Sequence, residues 1–255
     1  MSSKSKFGQS GRFALPIYGR AVLRRRPDIL LPPLFLLLIL FLFAPLCPAA
    51  RAADTNLVIT GWLSSQTNLH LWKAGFIQTR SLRTLSRPLT TTGQLWFAVP
   101  NQFRWEIGSP PQTIALRRAD EMYVIYPRLK RAERYPLDKA TLGEWRDALS
   151  LLEAGFPKSR ADLDERFRVL SLAETNQTYV LALQPKAAAA RRIMPEIRIG
   201  LAAGTFTLAS TELLFTDGST MRNDFTNSIV NPPGETGVFD WQPPADYKIT
   251  SPFAK

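Results

Sequence analysis

The sequence predicts a mainly β domain of the α+β class: a curved, mostly antiparallel sheet with a helical lid. Three observations lead there. Apolar and polar residues alternate along Gln102–Ile107, as on a strand with one dry face. Short strand-like runs recur between Pro, Gly and Asn turn signals in both halves of the chain. A helical stripe interrupts them midway, and an amphipathic insert there is well placed to cover the buried face of a sheet.

The N-terminus has the grammar of an export signal. A basic stretch ends in Arg24-Arg25-Arg26, an apolar run spans Ile29 to Leu46, and Ala50-Arg51-Ala52 fits the small-x-small rule, placing cleavage before Ala53. Pro32, Pro33 and Pro45 break the apolar run, which is short for a membrane span. Left uncut as an inner-membrane anchor, the segment would still hold its basic flank in the cytoplasm and the domain outside. Residues 1–52 therefore read as a signal peptide and 53–255 as one exported domain of the periplasm. Cys47, the only cysteine, follows Leu46 and precedes Pro48, a poor setting for lipidation; the mature chain then has no thiol and no disulfide.

Charge follows the same division. Of the formal +11, residues 1–52 carry +7, eight basic residues against Asp28, which leaves +4 for the domain. No dense basic stripe remains, and nucleic acid is not an expected partner. With 45% apolar residues the domain can bury a full core.

Along the domain, Leu57 to Ser65 reads as a short helix weakened by Val58, Ile59, Thr60 and Gly61. Strands are expected at Leu69 to Arg83, with Gly75 as a bulge, at Gln94 to Val99, and through Phe103, Trp105 and Ile107, whose neighbours Arg104 and Glu106 face water. Gln112 to Arg117 and Met122 to Tyr126 form a hairpin, followed by Leu129 to Tyr135. Leu142, Trp145, Leu149 and Leu152 then make one helical stripe over Ala140 to Ala154, stopped by Gly155 and Pro157. Ser159 to Asp162 starts a second short helix through Arg166. Strands resume at Phe167 to Ala173, Tyr179 to Gln184, Glu196 to Gly200, Thr205 to Phe215, Thr220 to Ile229 and Phe239 to Gln242, with Asp217-Gly218 as a hairpin turn. Ala187 to Ala190 is open between loop and helical turn.

Catalysis finds little support. His70 is the single histidine and no thiolate accompanies it, so a His or Cys metal site is not expected. No G-x-S-x-G elbow and no phosphate-binding glycine pattern occurs. Asp162, Asp164 and Glu165 alternate with Arg160 and Arg166 as on a solvated helix face. No catalytic residue, metal or cofactor is assigned. Arg128, Lys130, Arg131 and Arg134 make a basic hairpin, which suits either an anionic headgroup or acidic partner surface, or an edge guarded against aggregation.

The run Gly93-Gln-Leu95-Trp96-Phe-Ala-Val-Pro100-Asn101-Gln-Phe103-Arg-Trp105, with Pro110 and Tyr123-Val-Ile-Tyr126-Pro127 after it, resembles the core of the outer-membrane lipoprotein carriers (LolA-type). Gly75-Phe76-Ile77-Gln78 is similar to their first-strand F-x-Q, and Phe239-Asp-Trp241-Gln-Pro243-Pro244 to their F-x-F-x-P-P ending. The resemblance implies an incompletely closed antiparallel β-barrel covered by helices. It also implies a monomer that takes acyl chains of a lipoprotein or lipid from an inner-membrane transporter to an outer-membrane receptor. Val99 stands where the family has an arginine that latches the lid, which marks a divergent member whose cargo need not be a lipoprotein. An alternative is a non-transporting periplasmic interaction or sensor protein of the same fold, accessory to glycolipid or polyketide-lipid export. For a carrier the expected lipid-binding residues are Phe103, Trp105, Ile107, Met122, Val124 and Tyr126 on the sheet, with Leu142, Trp145, Leu149 and Leu152 on the lid.

Overall fold

The computed structural model describes residues 54–137, 153–235 and 237–252. The export segment and the expected lid residues Leu142, Trp145, Leu149 and Leu152 lie outside them.

Helix α1 (Thr55–Ser65) comes first, its amide of Asn56 donating to the Asp54 carboxylate at 2.9 Å as an N-cap. Its weak propensity is offset by burial of Val58, Ile59 and Trp62. The strands are β1 (Leu71–Ser81), β2 (Leu89–Ala98), β3 (Gln102–Ile107), β4 (Thr113–Arg117), β5 (Glu121–Tyr126) and β6 (Arg131–Pro136). After α2 (Arg160–Arg166), capped by Ser159, come β7 (Phe167–Thr175), β8 (Thr178–Pro185), helix α3 (Ala188–Ile193), β9 (Glu196–Ala202), β10 (Leu208–Leu214), β11 (Thr220–Val230) and β12 (Lys248–Thr250).

These strands make one curved, unclosed sheet in the order β12-β6-β5-β4-β3-β2-β1-β11-β10-β9-β8-β7. Hairpins account for most neighbours; the long-range joint is β1 on β11, which unites the two halves of the chain. The β1–β11 register shifts between Lys73 and Gly75, at the expected bulge. At Gly93 a side chain would collide with the Glu106 carbonyl and the Phe76 ring, at 2.0 and 2.4 Å, so only glycine lets that ring lie flat on β2. Gly218, at φ 83°, supplies the turn between β10 and β11.

Two expectations are corrected. Phe239 to Gln242 is not a strand: the guanidinium of Arg118 donates to the carbonyls of Phe239 (3.0 Å) and Trp241, and Pro243 and Pro244 cannot donate to a ladder. The last strand is instead β12, which runs parallel to β6, while the other neighbouring strands pair antiparallel as expected. Arg104 and Glu106 do not lie on an open wet face. They pair with each other at 2.7 Å, each less than one-fifth exposed, and Arg104 donates to the Val238 carbonyl at 3.2 Å.

The reason is a C-terminal strap: Glu235 and residues 237–247 lie over the convex face of β1 to β6 before the chain joins the sheet edge as β12. Beneath it Ile114, Leu116, Tyr123, Ile125 and Ala132 form a small core, with Phe239, Trp241 and Tyr247 packed on it. Lys73 pairs with Glu235, to which the Trp96 indole also donates at 3.0 Å, and Lys130 pairs with Asp246 at 2.7 Å. The opposite, concave face carries the large core.

Candidate functional site

Cross-strand register builds the concave wall. Directly opposed residues share a face, so Phe97, Phe103, Arg117, Met122 and Tyr135 form one row across β2 to β6, and Leu95, Trp105, Ala115, Val124 and Glu133 the next. Ile107 lies opposite Gly93, and Gly93 opposite Phe76 of β1. Beyond β1 the same face continues through Phe225, Asn223 and Met221 of β11, Thr211 and Leu213 of β10, and Ile199 and Ile197 of β9.

Of the residues expected to touch lipid, Phe103 and Met122 are buried in this core, and Trp105, Ile107 and Val124 pack half-buried against it. Tyr126 shares the strip but ends it, under the Arg131 guanidinium at 4.6 Å. The lid group lies outside the described residues.

One residue that sequence reasoning passed over holds the centre. Phe156 follows the tight turn Glu153–Gly155 and lies between Gly155 and Pro157, which read only as helix-stop signals. Its ring stacks on Phe97 at 4.1 Å between centroids with planes 10° apart, and is tilted against Trp72 at 5.2 Å. Gly155 beside it fits because a side chain there would meet Leu208 at 2.9 Å.

Phe156 separates two spaces. Behind it lies a cleft of about 30 Å³ lined by Leu95, Trp105, Ile199, Thr211, Asn223, Phe225 and their apolar neighbours. In front is a mouth of about 480 Å³ between Leu63, Leu69, Phe97, Val99, Pro100 and Lys158. The mouth is within the usual size range of small-molecule sites, about 300–1,000 Å³, while the cleft holds about one water. Val99, about half exposed, lines this mouth. A valine there offers shape and no hydrogen bond.

The cleft contains few polar groups. Gln78 donates to the Asn223 carboxamide oxygen at 2.9 Å, and the Asn223 amide donates to Thr211 at 3.1 Å. Outside the cleft, at the β6 end of the same face, Tyr135 is pushed up to about 12 by burial and by its hydrogen bond to Glu133, so it stays a neutral donor. Among the described residues no group of three His, Cys, Asp or Glu side chains could hold a metal. His70 is exposed.

The convex side has a depression of about 620 Å³ between the β4–β5 hairpin and the strap. Its charged rim is self-paired, Glu121 with Arg118 at 3.4 Å and with Arg134 at 2.8 Å. The basic hairpin is largely neutralised as well, since Lys130, Arg131 and Arg134 each have an acidic partner.

Comparison with known proteins adds a sequence match. The family model described as outer membrane lipoprotein carrier protein LolA matches residues 67–242. No curated protein matches the chain. Similar solved structures include an uncharacterised conserved protein from Thermus thermophilus, with a TM-score of 0.46, 8% identity, and 77% of this chain and 98% of that one covered. A putative outer membrane lipoprotein-sorting protein domain from Vibrio parahaemolyticus gives 0.40 and 12%, covering 72% and 95%. A LolA superfamily protein from Nitrosomonas europaea gives 0.36 and 8%, covering 71% and 95%.

Proposed function

We propose, from the premise that this chain belongs to the LolA family of outer membrane lipoprotein carrier proteins, that it is a periplasmic carrier shielding acyl chains of a lipoprotein or lipid between inner and outer membranes. The observation that carries the reading is the largely apolar, core-bearing face of the sheet, where the Phe156 ring lines both the 480 Å³ mouth and the cleft behind it.

The physics needs no catalyst. Each methylene kept from water is worth about 0.8 kcal/mol, so one long chain supplies a large driving force to any dry wall that can open. Phe103, Trp105, Ile107, Met122, Val124 and Tyr126 supply the sheet side of that wall, and the stripe Leu142, Trp145, Leu149 and Leu152 is the proposed lid. The Phe156 ring is held by aromatic contact with Phe97 and Trp72. The described polar tie nearest to it is a 3.4 Å bond donated by Gln66 to the Gly155 carbonyl. An entering acyl chain replaces those contacts with its own, so displacement costs little. An inner-membrane transporter as donor and an outer-membrane receptor as acceptor complete the proposal.

Protein purified from the periplasm is expected to carry co-purifying acyl lipid by native mass spectrometry, and Trp105→Asp to abolish it. Consistently empty protein that no fluorescent fatty acid enters would overturn the reading. A second reading, a non-transporting interaction or sensor protein, is favoured by Val99, which stands at the mouth where the family has its latching arginine. Failure to release lipoproteins from membrane vesicles, with retention of bound lipid, would favour that version.

A further inference from the structure

The cleft behind Phe156 is apolar except on two walls, and the exceptions are unbalanced. Trp105 reaches it from β3, and its indole Nε1 is fully buried without a hydrogen-bond partner among the described residues. An indole N–H can only donate. Asn223, 2% exposed on β11, lines the same space: its oxygen accepts from Gln78, and one of its two amide protons goes to Thr211. That leaves its second amide proton, and the hydroxyl proton of Thr211, whose oxygen is already an acceptor. The trio leaves donors over on one wall, and Trp105 adds another from a different wall. A buried donor without a partner costs on the order of 1–3 kcal/mol, and a dry cleft serving hydrocarbon alone has no use for one.

We infer that the cleft recognises an oxygen acceptor on its cargo, a carbonyl of an acyl ester, seated between the Trp105 indole and the Asn223–Thr211 pair. The inference rests on the carrier reading and sharpens it: the apolar wall supplies affinity, and the donors fix how deep the chain sits by capturing its ester end. A thioester or amide carbonyl presents the same acceptor; a bare alkane or a terminal methyl does not. Gln78 is a positioning residue, holding the Asn223 oxygen so that the amide protons face Thr211 and the cleft.

The test compares methyl dodecanoate with tetradecane, ligands of equal chain length, each delivered from cyclodextrin to the intact exported protein and read by displacement of a bound fluorescent fatty acid. Because the ester also gives up the hydrophobic drive of two methylenes, the quantity read is the ester-to-alkane affinity ratio compared between proteins. In Trp105→Phe, which keeps an aromatic ring and removes the donor, that ratio should be about fivefold lower than in the wild type, the worth of one hydrogen bond. Thr211→Val serves as an independent variant, expected to lower the same ratio by a smaller amount, with a melting curve confirming that each variant folds. A ratio unchanged by Trp105→Phe would overturn the inference while leaving the carrier reading intact. Uptake of neither ligand by the wild type would overturn both.

Discussion

The two faces of the sheet are both covered, but by different physics. On the convex face the strap is fixed by directional bonds: Arg118 to two carbonyls, Arg104 to a third, Glu235 to Lys73 and Trp96, and a short parallel ladder between β12 and β6. On the concave face the centre is filled by one aromatic ring resting on two others. Directional bonds lose most of their worth when a partner is removed, whereas a ring on an apolar wall can be exchanged for hydrocarbon at little net cost. The convex cover is therefore held by bonds of fixed direction, and the Phe156 ring by contacts that have none.

The contrast can be broken most severely at Leu116, fully buried beneath the strap. Leu116→Ala should cost about 2–5 kcal/mol by chemical denaturation, with lipid uptake by the remaining folded protein close to that of the wild type. Arg118→Ala removes the strap's main donor. It should cost about 1–2 kcal/mol and expose Trp241, seen as a red shift and loss of its edge contact with Tyr123, now 5.2 Å between centroids. Phe156→Ala should behave in the opposite sense. Its ring is half-buried, so the stability loss should be about 2 kcal/mol, below that of a fully buried Phe, while affinity for a fluorescent fatty acid rises severalfold because nothing need be displaced.

The smallest effect is on pH. The Lys73 ammonium beside Glu235 holds its carboxyl below the ordinary 4.5, with the Trp96 indole donor adding to the effect. A depressed carboxyl stabilises the fold at pH above its unfolded value, and that support is lost as pH falls through the folded one. Limited proteolysis should therefore leave the strap intact at neutral pH and cut it faster in acid below the ordinary carboxylate range, with the Glu235→Gln variant showing a flatter profile. An equal rate at both pH values would remove this pair from the account of the strap.

Much of this was legible in the sequence, for local reasons. The Ser159 cap, the Asp217-Gly218 turn and the alternation of Phe103, Trp105 and Ile107 are set by neighbours in the chain, and each appears where expected. The strap was misread because Phe239 and Trp241 alternate as a strand would, while their partner is the side chain of Arg118, over 100 residues away. A signal for it existed: Met122-Tyr-Val-Ile-Tyr126 is an unbroken apolar run, the mark of a strand covered on both faces. β12 has three residues and a parallel partner, too little pattern to find. Ala188–Ile193 became a helix where the alanine run alone did not decide. Phe156 lay hidden between Gly155 and Pro157, whose punctuation is local while the ring's partners, Phe97 and Trp72, are set by the fold. The cleft's polar trio joins β1, β10 and β11, a juxtaposition that no window of sequence contains.

The most direct test places 4-fluorophenylalanine at position 156 and follows its fluorine resonance while an acyl lipid is titrated into the protein. Hydrocarbon entering behind the ring must lift it from Phe97 and Trp72, so the ring-shifted signal should give way to a second one in step with binding. Saturating lipid with the original signal unmoved would mean that cargo sits elsewhere and that the concave face is simply the core.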